Sequence, residues 1–194
     1  MMIVERLAIP EVVRVRPRRF GDARGYFSEV FSARGFCQHV AEVEFVQDNE
    51  ALSGAAGTLR GLHFQRSPMA QGKLIRVIRG AIFDVAVDIR QGSPTYGRHV
   101  SARLDGVDGD QLWVPVGFAH GYCTLEPDTL VAYKVTNYYS PDDDGGILWN
   151  DPAIGIEWPV PAQEPVLSVK DQGLPLLKDL PAQFHYSSEQ EGVA

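Results

Sequence analysis

Ala81-Ile82-Phe83-Asp84-Val85-Ala86-Val87-Asp88-Ile89-Arg90 is the stretch that decides the fold class. In it Phe83, Val85, Val87 and Ile89 alternate with Asp84, Ala86, Asp88 and Arg90. A period of two predicts a half-buried β-strand with one apolar face. The same alternation returns in Val100, Ala102 and Leu104 against Ser101 and Arg103, and in Val131, Tyr133 and Val135 against Ala132, Lys134 and Thr136. Shorter β-rich runs are expected at Val12 to Val15, Tyr26 to Phe31, Val43 to Gln47, Leu59 to Phe64, Leu74 to Ile78, Gln111 to Val114 and Phe118 to Leu125. Gly, Pro, Asp and Ser clusters separate them, a pattern that favours an all-β sandwich or barrel over strand-helix alternation. Helix is expected only at Ala33 to Val40 and in a turn or two of the tail. Six of the 13 Pro fall between Pro152 and Pro181, which predicts a loop-rich C-terminal wrap.

The chain has 194 residues, a length suited to one domain, residues 1–194, with no repeat or linker to divide it. At 44% hydrophobic and 22% charged it reads as a globular protein, neither disordered nor membrane-spanning. Glu5 and Arg6 interrupt the apolar N-terminus, so no signal peptide is read there, and the expected location is the cytoplasm. Cys37 and Cys123 stand far apart, without the spacing of a zinc knuckle or disulfide framework.

A net charge of −7 argues against nucleic acid as a partner. Locally the balance reverses. No Asp or Glu occurs from Ala51 through Phe83, where Arg60, Arg66, Lys73, Arg76 and Arg79 lie, and a second cluster holds Arg14, Arg16, Arg18, Arg19 and Arg24. Such segments suit either a compact anionic ligand or solvated strand faces. In Arg60-Gly61-Leu62-His63-Phe64-Gln65, strict alternation sends Arg60 and His63 to opposite faces, whereas a bulge at Gly61 would put them on one. Taken singly, His63 and His120 read as hydrogen-bonded core histidines, Tyr133 as a buried phenol, Lys73 as an edge lysine, and Asp171 as half of a surface pair with Lys170.

The segments taken together resemble the dTDP-4-dehydrorhamnose 3,5-epimerase family. The resemblance is carried in order by Asp22 to Glu29, Gln47-Asp48-Asn49, Arg60 to Gln65, Gln71-Gly72-Lys73, Asp84 to Arg90 and Gly92-Ser93-Pro94-Thr95. It continues through Gln111 to Pro115, Gly117 to Gly121, Tyr133-Lys134, Trp149-Asn150-Asp151-Pro152 and Ser168 to Asp171, and so runs from about Arg14 to about Pro175. It implies a cupin-type jelly roll, a homodimer, and epimerisation at C3 and C5 of a dTDP-linked 4-keto-6-deoxyhexose. In that chemistry His63 is the base, Asp171 its orienting carboxylate, Lys73 and His120 stabilise the enolate oxygen, and Tyr133 is the acid. Arg24 and Arg60 match the diphosphate contacts, and Phe27, Glu29, Gln47 and Asn49 positions near the nucleotide. Tyr139 matches the ring against thymine, with Asp144 and Lys170 as looser sugar-nucleotide matches. No cofactor and no metal is implied, and His63-Phe64-Gln65 replaces the His-x-His pair of metal-binding cupins. Relatives that act at C3 or C5 alone keep much the same residues. A metal-dependent cupin and a noncatalytic sugar-nucleotide binder are the other classes to be separated.

Overall fold

The computed structural model describes residues 2–160 and 165–187. Its strands, in chain order, are β1 (Ile3–Arg6), β2 (Val13–Arg16), β3 (Arg19–Asp22), β4 (Gly25–Ser28), β5 (Gln47–Ser53), β6 (Leu59–Gln65), β7 (Lys73–Arg79), β8 (Ala81–Asp88), β9 (Arg90–Gln91), β10 (His99–Asp105), β11 (Gln111–Val114), β12 (Phe118–Thr124), β13 (Thr129–Val135), β14 (Asp144–Gly146) and β15 (Phe184–His185). Two short α-helices, α1 (Ala33–His39) and α2 (Val169–Gln172), complete the regular structure with one 3-10 turn. One sheet runs β1-β2-β11-β7-β13-β5 and the other β10-β8-β12-β6-β14. Within each sheet all neighbours are antiparallel. From β5 onward the chain passes repeatedly from one sheet to the other, which makes the barrel a jelly roll and agrees with the expected all-β architecture. No helix among the described residues is long and apolar enough to cross a membrane.

The inner faces of the two sheets meet around Ile75, Val77, Leu112, Val114 and Val131 from one and Ile82, Ala86, Val100, Ala102, Leu104 and Phe118 from the other. Two further apolar clusters lie outside the barrel. Phe31, Phe36, Phe45 and Trp113 form an edge-to-face aromatic group over the first sheet. Ile154, Ile156, Trp158, Leu177, Leu180 and Phe184 cover the outer face of the second sheet, against Leu62, Phe64, Phe83, Val85 and Val87. The Pro-rich tail is therefore a structural cover, anchored through Asp151, whose carboxylate takes the Leu177 N–H at 2.8 Å.

Three expectations change. β8 is not half-buried: Asp84 and Asp88 are as inaccessible as Val85 and Val87, because the tail covers one face and the barrel interior encloses the other. Asp88 is neutralised there by Arg90, Ser93 and Thr95 at 2.6 to 3.0 Å, and Arg90 also pairs with Glu11 at 2.7 Å. Val43 to Gln47 is not a strand. Val43 and Phe45 pack into the aromatic group, and the strand begins at Gln47 and continues to Ser53. The Tyr26 to Phe31 run keeps its ladder only as far as Ser28, with Phe31 drawn into the same aromatic group.

Of the two readings of Arg60 to Gln65, the structure shows the bulge at Gly61. His120 pairs with His63 and Tyr122 with Arg60, so three residue steps on β6 match two on β12. The shifted phase turns Arg60 and His63 to the barrel interior, while Leu62 and Phe64 face the tail. Glycine is required here. Its φ is +132°, and a Cβ would stand 2.5 Å from the Gly121 Cα and 3.0 Å from the His120 carbonyl. Gly61→Ala should therefore cost at least ~2 kcal/mol of unfolding free energy, measured by urea denaturation, and should reduce activity with it. Unchanged stability in this variant would contradict the role assigned to the bulge.

Candidate active site

The bulge places His63 on the inner face of β6, and the tail brings Asp171 to meet it. Ser168 caps the short α2 by accepting the Asp171 N–H at 3.1 Å, which fixes the start of that turn and aims the Asp171 side chain inward. His63 Nε2 and Asp171 Oδ1 are 2.6 Å apart, with Asp171 buried and His63 partly open to the cleft. Burial alone would push the Asp171 carboxyl up. The His63 hydrogen bond and charge, the Ser168 hydroxyl and the Gly61 N–H outweigh it and hold the group below the usual carboxylate range. Asp171 is thus a fixed acceptor, and it leaves the other ring nitrogen of His63 free for chemistry.

A second pair lies one strand away. His120 Nε2 stands 2.6 Å from Asp84 Oδ1, both buried. Lys73, at the start of β7, closes the floor from the opposite sheet, and its ammonium donates a long bond, 3.4 Å, to the His63 carbonyl. Burial lowers the Lys73 pKa to about 8, against the opposing pull of Asp84 and Asp144. Tyr133 on β13 faces the same space, its phenol raised by burial with Arg60 acting against the shift. These groups, with Arg60, Tyr122, Lys170 and residues 166–168 of the tail, line one cavity of about 440 Å³. An adjoining cavity of about 340 Å³ shares His63, Lys73, Tyr133 and Lys170, and adds Gln47, Asn49, Gln65, Gln71, Tyr139 and Asp144. In it Gln47 donates to Asn49 at 2.8 Å and accepts the Tyr139 N–H at 3.2 Å, while Asp144 pairs with Lys170 and takes the Tyr139 hydroxyl at 3.3 Å. Combined, the space suits a ligand of nucleotide-sugar size. It brings an imidazole paired with a carboxylate, a phenol and the cations Lys73 and Arg60 to one lining, groups that can accept, donate and stabilise charge. No three His, Cys, Asp or Glu side chains converge on a metal position among the described residues.

The sequence pattern of the dTDP-4-dehydrorhamnose 3,5-epimerase family matches residues 6–179. The chain belongs to this family. The dTDP-4-dehydrorhamnose 3,5-epimerase of Sinorhizobium fredii is 58% identical over 185 residues, covering 95% of this chain and 94% of the relative. The crystal structure of the Legionella pneumophila dTDP-6-deoxy-D-glucose-3,5-epimerase, in complex with dTDP-4-keto-L-rhamnose, superposes with a TM-score of 0.92 at 41% identity, covering 97% of this chain and all of that one. The Bacillus anthracis dTDP-4-dehydrorhamnose 3,5-epimerase, with TDP and PPi bound, has a TM-score of 0.88 at 48% identity, covering 91% and 99%.

In this epimerase-family chain the structure gathers His63, Lys73, His120, Tyr133, Asp171, Arg60, Gln47, Asn49, Tyr139, Asp144 and Lys170 around one continuous cleft. It does not bring Arg24, Phe27 or Glu29 there. Arg24 and Phe27 stand exposed on the β3-β4 hairpin, with Arg24 paired to Asp22 at 2.5 Å, and Glu29 follows β4. Sequence reasoning missed Tyr122 as a cleft residue and Asp84 as the buried partner of His120. Their signal was present: both sit at polar positions within segments otherwise buried on both faces. Since Lys73 is held to about 8, raising the pH through that value removes its positive charge from the cleft. The epimerase should accordingly show an alkaline limb near pH 8 in kcat/KM, which reports the free enzyme. Lys73→Gln should abolish most of the activity and with it the limb, whereas an unchanged limb in that variant would assign it to another group.

Proposed function

We propose that the chain epimerises dTDP-4-dehydro-6-deoxy-D-glucose to dTDP-4-dehydro-L-rhamnose, with His63 as base and Tyr133 as acid. The observation that carries this is the His63–Asp171 pair and Tyr133 lining one cleft from opposed sheets, with Lys73 in the same lining. The substrate's C4 carbonyl acidifies the protons on C3 and C5. His63 removes one of these protons, and the electron pair left on carbon moves into the ring to give an enolate with its negative charge on O4. Lys73 and the His120–Asp84 pair stabilise that oxygen, and Asp171 stabilises the imidazolium. Tyr133 returns a proton to the opposite face of the same carbon and inverts it. Exchange with solvent then resets both groups before the second centre reacts. Burial serves the acid well, because a phenol with a raised pKa is fully protonated at working pH.

Arg60, Tyr139, Gln47, Asn49, Asp144 and Lys170 hold the thymidine diphosphate in this reading. Arg24, Phe27 and Glu29 complete the site from a second copy of the chain: the β3-β4 hairpin presents Phe20, Tyr26 and Phe27 to the outside, a surface suited to an isologous two-fold contact. Sedimentation at micromolar concentration should show a dimer, and a monomer with full activity would remove this part of the reading.

The chemistry is tested in deuterated water. Wild-type protein should place deuterium at both C3 and C5, while label at one carbon alone would make it a single-site epimerase. His63→Asn should abolish exchange at both positions, falling by about 100-fold or more. Tyr133→Phe should still allow some proton loss with little inversion, so washout outruns epimerisation. Wild-type exchange in folded His63→Asn would overturn the mechanism.

A further inference from the structure

Gln65 is the last residue of β6, two positions beyond His63, so the two side chains leave the strand on the same face, and both line the cavity of about 340 Å³. It is only 4% exposed. The nitrogen of its amide donates to the Met69 carbonyl at 2.6 Å and to the Tyr138 carbonyl at 3.0 Å, and the oxygen accepts the Ser140 N–H at 2.8 Å. These partners fix which end of the amide is which, because carbonyls need a donor and an N–H needs an acceptor. With both of its protons engaged inside the protein, Gln65 has none to offer a ligand. Whatever it does for binding, it does through the segment it holds.

That segment has Tyr139 at its centre. Tyr138 and Ser140 stand on either side of it, so a single side chain ties the backbone before and after Tyr139 to the strand that carries His63. The Tyr139 N–H and hydroxyl are taken in turn by Gln47 and Asp144. Yet 58% of Tyr139 remains exposed. An aromatic residue pinned at its backbone and at its hydroxyl, but left uncovered, is a stacking surface whose ordering cost is met before any ligand arrives. We propose that Gln65 is a positioning residue for recognition of the nucleotide base, setting the place of the Tyr139 ring relative to His63. This deepens the sugar-nucleotide reading, in which Tyr139 stacks on thymine, and rests on it. Because β6 holds the histidine and the amide two residues apart, the base end of the ligand and its reacting end are referred to one rigid element.

The test compares thymidine diphosphate with inorganic pyrophosphate, which keeps the phosphates and has no base. Gln65→Met removes all three bonds at similar volume. Gln65→Glu keeps the shape and the acceptor for Ser140 but turns an oxygen onto the two carbonyls, and it serves where loss of all three bonds unfolds the protein. By calorimetry each variant should bind thymidine diphosphate about five- to tenfold more weakly than wild type, with pyrophosphate changed by less than about twofold. Tyr139→Ala should itself weaken thymidine diphosphate about tenfold. Adding either Gln65 change to it should cost less than about a further twofold, since both act through one ring. In turnover KM should rise by the same factor as the loss of affinity, with kcat within about twofold of wild type. Equal losses for both ligands, losses that multiply in the double variant, or unchanged binding of thymidine diphosphate overturn the proposal. A wild type that does not bind thymidine diphosphate removes the sugar-nucleotide reading and the proposal together. If the base-selective loss appears in a protein that exchanges no carbon-bound proton, the epimerase reading fails and the role of Gln65 stands. An active wild type without the selective loss gives the reverse.

Discussion

One extra residue on β6, made possible by the contact of Gly61 with Gly121, determines which side chains share the inside of the barrel. Without it Arg60 would follow Leu62 to the tail-covered face, and the cleft would lose a cation. The close approach leaves no space for a Cβ, so backbone packing sets the feature, and the Gly61 N–H adds a hydrogen bond to Asp171. The interior is then divided lengthwise. One part is the apolar core of Ile75, Leu104, Leu112 and their neighbours, and the other is a polar chamber that shares β7, β12 and β13 with it and adds β5, β6 and the tail.

A polar chamber inside a small barrel carries a desolvation cost, and the chain meets it by pairing. His63 sits with Asp171, His120 with Asp84, and Asp88 with Arg90, each at 2.6 to 3.0 Å. Such arrangements contribute little net stability, since desolvation consumes most of the attraction, but they fix geometry. Lys73 is the exception. It has only a long bond to a carbonyl and is half-buried, and desolvation leaves its proton loosely held. A cation so placed gains most when negative charge appears beside it, which is the condition for stabilising a transient anion rather than a resting ligand.

Much of this was legible in the sequence. The period of two gave the strands, and a glycine inside a strand pattern left open the bulge that brings Arg60 and His63 together. The misreading of β8 has a physical cause: alternation records a difference between two faces and not which of them meets water. Here the face with Asp84 and Asp88 is enclosed in the barrel interior, and the apolar face is covered by a tail whose Pro-rich composition reads as loop. Val43 and Phe45 look like strand residues because aromatic packing and ladder formation favour the same side chains. Asp171 had no local signal, for its partner is 108 positions away and only the family resemblance linked them. Arg24, Phe27 and Glu29 match the family in sequence yet lie away from the cleft of their own chain, and the proposed second copy is what would bring them to one.

The tail has a further consequence for biogenesis. All the strands that form the two sheets are complete by Gly146, so the barrel can close while the remaining residues are still being made. Asp171 arrives later, on the segment that also covers the outer sheet face. A chain nicked or halted between these points would retain its barrel strands and present an unpartnered His63 beneath an uncovered apolar surface. Maturation of the histidine is therefore tied to synthesis of the segment that hides that surface, and the same event that makes the protein competent also removes a site where proteases and chaperones would bind.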